Sequence, residues 1–253
     1  MISGYLKYLY NRTAILSGKK LNELVEIQPN ARLLDLGCWD GINTMQFARK
    51  IKTRNVFGIE LVKKKADEAK KRGVKVYVGD LNDKFPVPSK SVDVAIGYHV
   101  IEHLVNTKQF VKEIYRVLDD NGYAIIGTPN LASWHNVFAL IIGVQPFSGP
   151  HVQDNYHGEV NTITQINADR MEKVFKKSKT QEGGSLRHLV VLTTRALKKL
   201  FRNTGFEIEG IYGFGYYPLP GPLDRLSAKI DPNHSHYIII KARKPGKKTK
   251  KTN

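Results

Sequence analysis

The chain has 253 residues, 41% of them apolar and 25% charged, with one cysteine and a formal net charge of +17. That composition suits one large folded domain or two small ones and excludes a disulfide-stapled mini-domain, a Cys-based zinc site and a wholly disordered chain. The longest apolar run, Val137 to Val144, falls far short of the roughly 18 to 20 residues that a bilayer span requires.

In chain order, the first ten residues lack the basic leader and apolar run of a signal peptide. With Cys38 unable to form an internal disulfide, a cytoplasmic protein is expected. Leu21, Leu24, Val25 and Ile27 give an amphipathic helix over Lys19 to Ile27, ending before Pro29, within a helical cap at 1–30. Ala31 to Leu36 reads as the first strand, and Gly37 to Gly41 as a turn into a helix that begins near Asn43. Val56 to Glu60 is a second strand, Val62 to Arg72 a Lys-rich helix closed by Gly73, and Val74 to Val78 a third strand. Ser91 to Gly97 makes a fourth strand. Thr107 to Leu118 makes a helix with Phe110, Val111, Ile114, Val117 and Leu118 on one face and Asn106 as its cap. A turn at Asp120 to Gly122 leads to a fifth strand, Tyr123 to Gly127.

Five strands alternating with helices predict a mostly parallel α/β sheet covered on both faces. Residues 131 to about 192 are too long and irregular for an ordinary connection and read as an inserted lid, with a charged stretch at Asp169 to Lys179 that is helical or mobile. A helix at Thr193 to Asn203, ended at Gly205, precedes strands at Phe206 to Tyr212 and His236 to Ala242, which would pair antiparallel across a Gly/Pro-rich loop from Gly213 to Pro222 and its continuation. The main domain is thus expected over 31–242. Beyond it, 243–253 reads as a disordered basic tail. Seven cations, Lys241, Arg243, Lys244, Lys247, Lys248, Lys250 and Lys251, crowd the last 13 residues without an acid, which implies weak polyanion contact.

The turn Asp35-Leu36-Gly37-Cys38-Trp39-Asp40-Gly41 follows the first strand directly. Glycines there permit positive φ and close approach of a ligand to the backbone. Glu60 ends the second strand 19 residues after Gly41, an offset at which a carboxylate accepts from a ribose diol. Asp80, with Leu81 beside it at the end of the third strand, is placed to accept from an adenine amine. A dinucleotide fingerprint needs G-x-G-x-x-G, whereas this loop offers only Gly37 and Gly41, so nicotinamide chemistry is the weaker reading.

These residues resemble the class I S-adenosylmethionine-dependent methyltransferases, over roughly 30 to 130 and again 190 to 242. The segment Tyr98-His99-Val100-Ile101-Glu102-His103-Leu104, the run Gly127-Thr128-Pro129-Asn130 and the stretch Leu197 to Phe206 are similar to the small-molecule branch that includes ubiquinone-type O-methyltransferases. The resemblance implies a Rossmann-like seven-stranded sheet with the last strand antiparallel and S-adenosyl-L-methionine as cofactor. It implies donor contacts from Asp35, Gly37, Cys38, Asp40, Gly41, Glu60, Asp80, Leu81 and Tyr98. Many relatives have Gly where this chain has Trp39, so the indole must point away from the donor or cover it.

Methyl transfer needs an acceptor held in line with the methyl group, and an oxygen acceptor must also lose a proton. Offsets of three and four from His99 would set Glu102 and His103 on one face if that stretch is helical. We expect His99 or His103 to act as general base or to orient the acceptor, and we expect no metal, although ubiquinone-type relatives can bind one where a carboxylate replaces His99. His135, His151, His157 and His188, with Trp134, Phe138, Phe147 and Tyr156, would furnish lid walls. The expected reaction is methylation of an oxygen, less readily a nitrogen, of a small or lipid-linked metabolite. The alternatives are an RNA methyltransferase and a methyltransferase-like binding protein without turnover.

Overall fold

The computed structural model describes residues 2–150 and 188–246. Seven strands form one sheet: β1 (Leu33–Leu36), β2 (Val56–Glu60), β3 (Lys75–Val78), β4 (Val92–Tyr98), β5 (Leu118–Pro129), β6 (Glu207–Phe214) and β7 (Tyr237–Arg243), in the order β3-β2-β1-β4-β5-β7-β6. Strands β1 to β5 run parallel, and β7 is antiparallel to both β5 and β6. The order reverses after β1, so the carboxyl ends of β1 and β4 flank the crevice where ligands bind in such sheets.

Alternation along the strands divides the core. Leu34, Leu36 and Ile126 face α4 (Thr107–Val117) and α6 (Thr194–Thr204), through Phe110, Ile114, Leu197 and Phe201. Leu33, Ile96 and Ile125 face the other side, with Leu21 of α1 (Ile2–Leu24), Phe47 and Ile51 of α2 (Ile42–Ile51) and Ala69 of α3 (Lys63–Lys71). Helix α4 is held at its start by the Asn106 side chain, which accepts from the Gln109 N–H, and α6 by the Thr193 hydroxyl, with Gly205 at φ 104° closing it.

Four expected elements change. Helix α1 begins at Ile2 and ends at Leu24, instead of spanning 19 to 27. Its buried stripe is Leu9, Thr13, Ser17 and Leu21, and two hydroxyl residues in that stripe conceal the apolar period from a sequence reading. The turn at 120 to 122 is absorbed into β5: Leu118 pairs with Val92 and Tyr123 with Val94, so the intervening residues bulge out, with Asn121 at φ 66°. Helix α5 (Trp134–Ile141) lies within the stretch expected to be irregular. Helix α7 (Gly221–Ile230) starts inside the expected Gly/Pro loop, with Pro222 in its first turn, where fixed φ favours a helix.

The C-terminal cations divide. Lys241 and Arg243 pair with Glu26 and Glu209, and the buried Lys244 ammonium donates to the carbonyls of Tyr115 and Leu118 at the end of α4. Lys247, Lys248, Lys250 and Lys251 lie outside the described residues, as do His151, Tyr156, His157 and the charged stretch 169–179.

Candidate active site

The turn after β1 is built by backbone that few side chains permit. Gly37 has φ 77°, and a Cβ on it would stand 2.6 Å from Val100. Gly41 has φ 81°, and a Cβ there would sit 3.0 Å from the Ala69 backbone. The Gly37 and Cys38 amides both donate to the Ile59 carbonyl, folding the turn onto β2. Cys38 is buried, with its Sγ over Gly58, where a Cβ would be 2.5 Å away. Burial pushes its thiol far up, so it is inert packing.

Three carboxyls surround this turn. Asp35 is buried and accepts from the Thr44 hydroxyl of α2; burial raises it to about 7, against the Thr44 bond that lowers it. Glu60 accepts the Val62 N–H at 2.8 Å on Oε1 and the Trp39 N–H at 2.9 Å on Oε2. Burial also pushes Glu60 up, and the backbone donors oppose it. Each Glu60 oxygen keeps a lone pair, enough for a diol. Asp80 accepts from the backbone and side chain of Asn82 on Oδ1, while Asn82 receives the Val105 and Asn106 amides, which ties the β3 loop to the loop before α4. Leu81 is buried in the α4-side core.

Asp40 accepts the Ile42 N–H at 3.1 Å, and its carbonyl receives Arg72, so it fixes the entrance of α2. Trp39 sits at φ 48° with its indole 5.1 Å from the Lys65 ammonium. The ring thus lies against the first turn of α3. The Tyr98 hydroxyl meets Ser17 of α1, and its ring covers Gly127. Burial raises that phenol to about 12, so it is a neutral tether.

Beyond Tyr98 the chain enters a single 3₁₀ turn, Ile101–His103. His99 precedes it at φ 56°, its N–H donating to Gly127 O at 2.9 Å. Its Nδ1 lies 3.1 Å from Glu102 Oε1, and Glu102 Oε2 accepts the Thr128 hydroxyl at 3.0 Å. Glu102 is fully buried. Burial pushes its carboxyl up, but the His99 hydrogen bond and the charges of His103, His99 and His188 outweigh that and hold it at about 2. His103 packs its ring 5.1 Å from that of His188, whose Nδ1 lies 2.6 Å from Ser148 O. Glu102 lies close to both His99 and His103. Among the described residues, Glu102, His103 and His188 bring potential ligand atoms within 4.8 Å of one another.

His135, expected in the lid, has a partner that the sequence did not reveal. His236, before β7, places Nδ1 3.0 Å from Nε2 of His135 in α5. Burial lowers both imidazoles, His135 to about 4. His236 Nε2 is buried with no hydrogen-bond partner among the described residues. The rings of Tyr217 and Tyr237 lie 5.0 and 4.1 Å from His236, and Tyr237 packs 4.8 Å from His99. No local spacing signals this cluster, because α1, α5 and β7 meet there from distant parts of the chain.

Residues 34–126 match the methyltransferase domain family. A relative from Mycolicibacterium smegmatis, named "Probable S-adenosylmethionine-dependent methyltransferase", is 34% identical over 39% of this chain and 38% of its own length. A ubiquinone biosynthesis O-methyltransferase of Pelagibacter ubique is 26% identical over 54% of this chain and 58% of its own. The chain thus spans less than two thirds of the length of these curated relatives. An uncharacterized protein of Methanocaldococcus jannaschii, MJ1252, is 26% identical over 87% of this chain and 78% of its own. Among solved structures, a SAM-dependent methyltransferase of Thermotoga maritima superposes with TM-score 0.56 at 21% identity, covering 96% of each chain, a likeness of fold. Over residues 34–126 the chain is thus similar to methyltransferase domains, and its fold is like that of a SAM-dependent methyltransferase of known structure.

Proposed function

We propose that this chain transfers a methyl group from S-adenosylmethionine to an oxygen, less readily a nitrogen, of a small or lipid-linked metabolite. The observation that carries this reading is the His99–Glu102 pair at the end of β4, on the same sheet edge as the glycine turn and Glu60. The turn fits the donor: positive φ at Gly37 and Gly41 lets the backbone fold tightly against Val100 and Ala69 at the sheet edge, and Glu60 has lone pairs to spare for a ribose. When bound, the donor supplies a methyl group on a sulfonium.

With Nδ1–H donated to a carboxylate held ionised, His99 keeps a lone pair on Nε2. It would take the proton of an acceptor hydroxyl when a bound donor gives up its methyl group to that oxygen. Glu102 stabilises the imidazolium that results, and Thr128 fixes the carboxylate. The buried His135–His236 pair, whose imidazoles burial holds neutral near neutral pH, exchanges no proton there and leaves that role to His99. The resemblance to ubiquinone O-methyltransferases supports oxygen as the acceptor atom.

Titration calorimetry with S-adenosylhomocysteine, followed by transfer of labelled methyl to a fractionated cell extract, tests the proposal. Heat with the spent donor and label in the organic-soluble fraction are expected. Label in RNA would move the assignment to the nucleic-acid class, and binding without any labelled product would favour a non-catalytic role.

A further inference from the structure

Among the described residues, exposed large apolar side chains concentrate on two short helices. On α5, Phe138 is 61% exposed and Ile141 76%, with Ile142 of the helix end beside them, and no charged residue occurs between Trp134 and Gln145. On α7, Leu226 is 55% exposed and Ile230 74%, and the charged residues exposed beside them are the cations Arg225 and Lys229, since the helix's acid, Asp224, is buried. Isolated exposed leucines are ordinary, whereas contiguous apolar faces on neighbouring helices mark an interaction surface.

The two helices are joined through the acceptor end of the molecule. The Trp134 indole N–H donates to the Tyr216 hydroxyl before α7, and its ring stacks at 4.6 Å on His234 after α7. His135, one residue on, reaches the buried His236. Gly221, where α7 begins, lies against Arg12 of α1, 3.3 Å from where its Cβ would stand. Bulky apolar side chains and cations without an exposed acid form the composition that seats a helix in the headgroup boundary of an anionic bilayer. A protein surface would be expected to offer hydrogen-bonding side chains as well, and the α5 face offers none.

We infer that α5 and α7 form a docking surface for an anionic lipid bilayer, which sets the acceptor end of the protein against the membrane. Docking needs no methyl transfer, so it stands or falls apart from the proposed reaction. It also predicts which acceptors can arrive: those whose apolar portion lies in the bilayer.

The test is co-sedimentation of the full chain with vesicles of phosphatidylglycerol and phosphatidylcholine, against vesicles of phosphatidylcholine alone, at low and physiological salt. Binding to the anionic vesicles, weakened by salt, is expected. The pairs Phe138→Ser with Ile141→Ser, and Leu226→Ser with Ile230→Ser, should each lower vesicle affinity by about tenfold or more, with the melting temperature and S-adenosylhomocysteine binding unchanged. Arg225→Gln with Lys229→Gln should lower affinity less and flatten the salt dependence. No binding to anionic vesicles overturns the inference. So does binding that survives both serine pairs but disappears when Lys247, Lys248, Lys250 and Lys251 become Gln. Serine pairs that lower the melting temperature by several degrees would show that the chain's own residues 151–187 cover the face, and a dimer that the pairs convert to monomer would show that a second copy does; either overturns it.

Discussion

The proposed donor side and the proposed acceptor side of this sheet are built on opposite plans. On the donor side each functional group lies within a few residues of the strand that presents it: Gly37 after β1, Glu60 at the end of β2, Asp80 after β3. The turn is closed by hydrogen bonds between neighbouring strands, Trp39 N–H to Glu60 among them. On the acceptor side the groups converge from afar, with His135 meeting His236 across 101 residues and Ser17 meeting Tyr98 across 81. Binding one invariant donor suits a rigid local device, and accommodating a particular acceptor is left to parts that can change without disturbing it.

The contrast is open to direct attack. Glu60→Ala removes a partner of two backbone amides as well as the proposed ribose acid, so S-adenosylhomocysteine affinity should fall by about 100-fold or more in calorimetry; an unchanged affinity would take Glu60 out of the donor site. On the other side, His99→Ala should lower kcat by about 100-fold while donor affinity stays within a factor of about two. Equal loss of both would mean that the two sides are one unit. Activity that survives extensive treatment with a chelator is expected, since the proposed base is His99; activity abolished by chelator and restored by a divalent ion would transfer the chemistry to Glu102, His103 and His188.

A smaller effect comes from Asp35. Its folded-state value of about 7 stands above the ordinary 3.8, so the folded state holds a proton that the unfolded state has lost between these values. Stability should therefore fall as pH rises from about 4 through about 7. The cationic donor has the opposite preference, for the ionised carboxyl. Its affinity should rise by up to about tenfold per pH unit below 7, with proton release on binding, and level off above; a flat profile from pH 6 to 8 would remove Asp35 from contact with the donor. Glu102 behaves the other way. Held at about 2, below the ordinary 4.5, it contributes stability that is present above about 4.5 and is lost as pH falls toward 2. The smallest change should be Tyr98→Phe, which costs the Ser17 hydrogen bond, about 1 kcal/mol and about 2 to 4 °C in Tm, and leaves donor affinity intact.

What could be read from the amino-acid string follows the same division. Strand β2 is found at its predicted bounds, Val56–Glu60, and the Asn106 cap of α4 at its predicted residue, because both depend on neighbours in the chain. The glycine turn was equally visible, since its positive φ is a local demand. Tyr98, by contrast, sits next to His99 in sequence, yet a hydroxyl 81 residues earlier decides where it points. His103 was grouped with His99 by spacing that presumes an α-helix, whereas the stretch has left-handed backbone at His99 and a single 3₁₀ turn, and there His103 packs against the ring of His188. The long helix α1 was read only in its last turns, because Thr13 and Ser17 interrupt its apolar stripe.

That same helix is fastened unequally along its length. Past its C-terminal end, Glu26 is gripped by Lys241 and Arg243, and its amide by the Tyr123 hydroxyl. Toward its start it relies on Ser17, on the edge of the Tyr10 ring against His236 and Tyr237, and on the Tyr5 hydroxyl bond to Pro218. Mechanically it is a cantilever, clamped at the amino edge of the sheet and resting lightly over the opposite one. Fluctuations grow toward the free end of such a beam, so hydrogen exchange along its amides should quicken steadily from Leu21 back toward Tyr5, and the histidine cluster beneath should be the first buried part of the fold that water reaches.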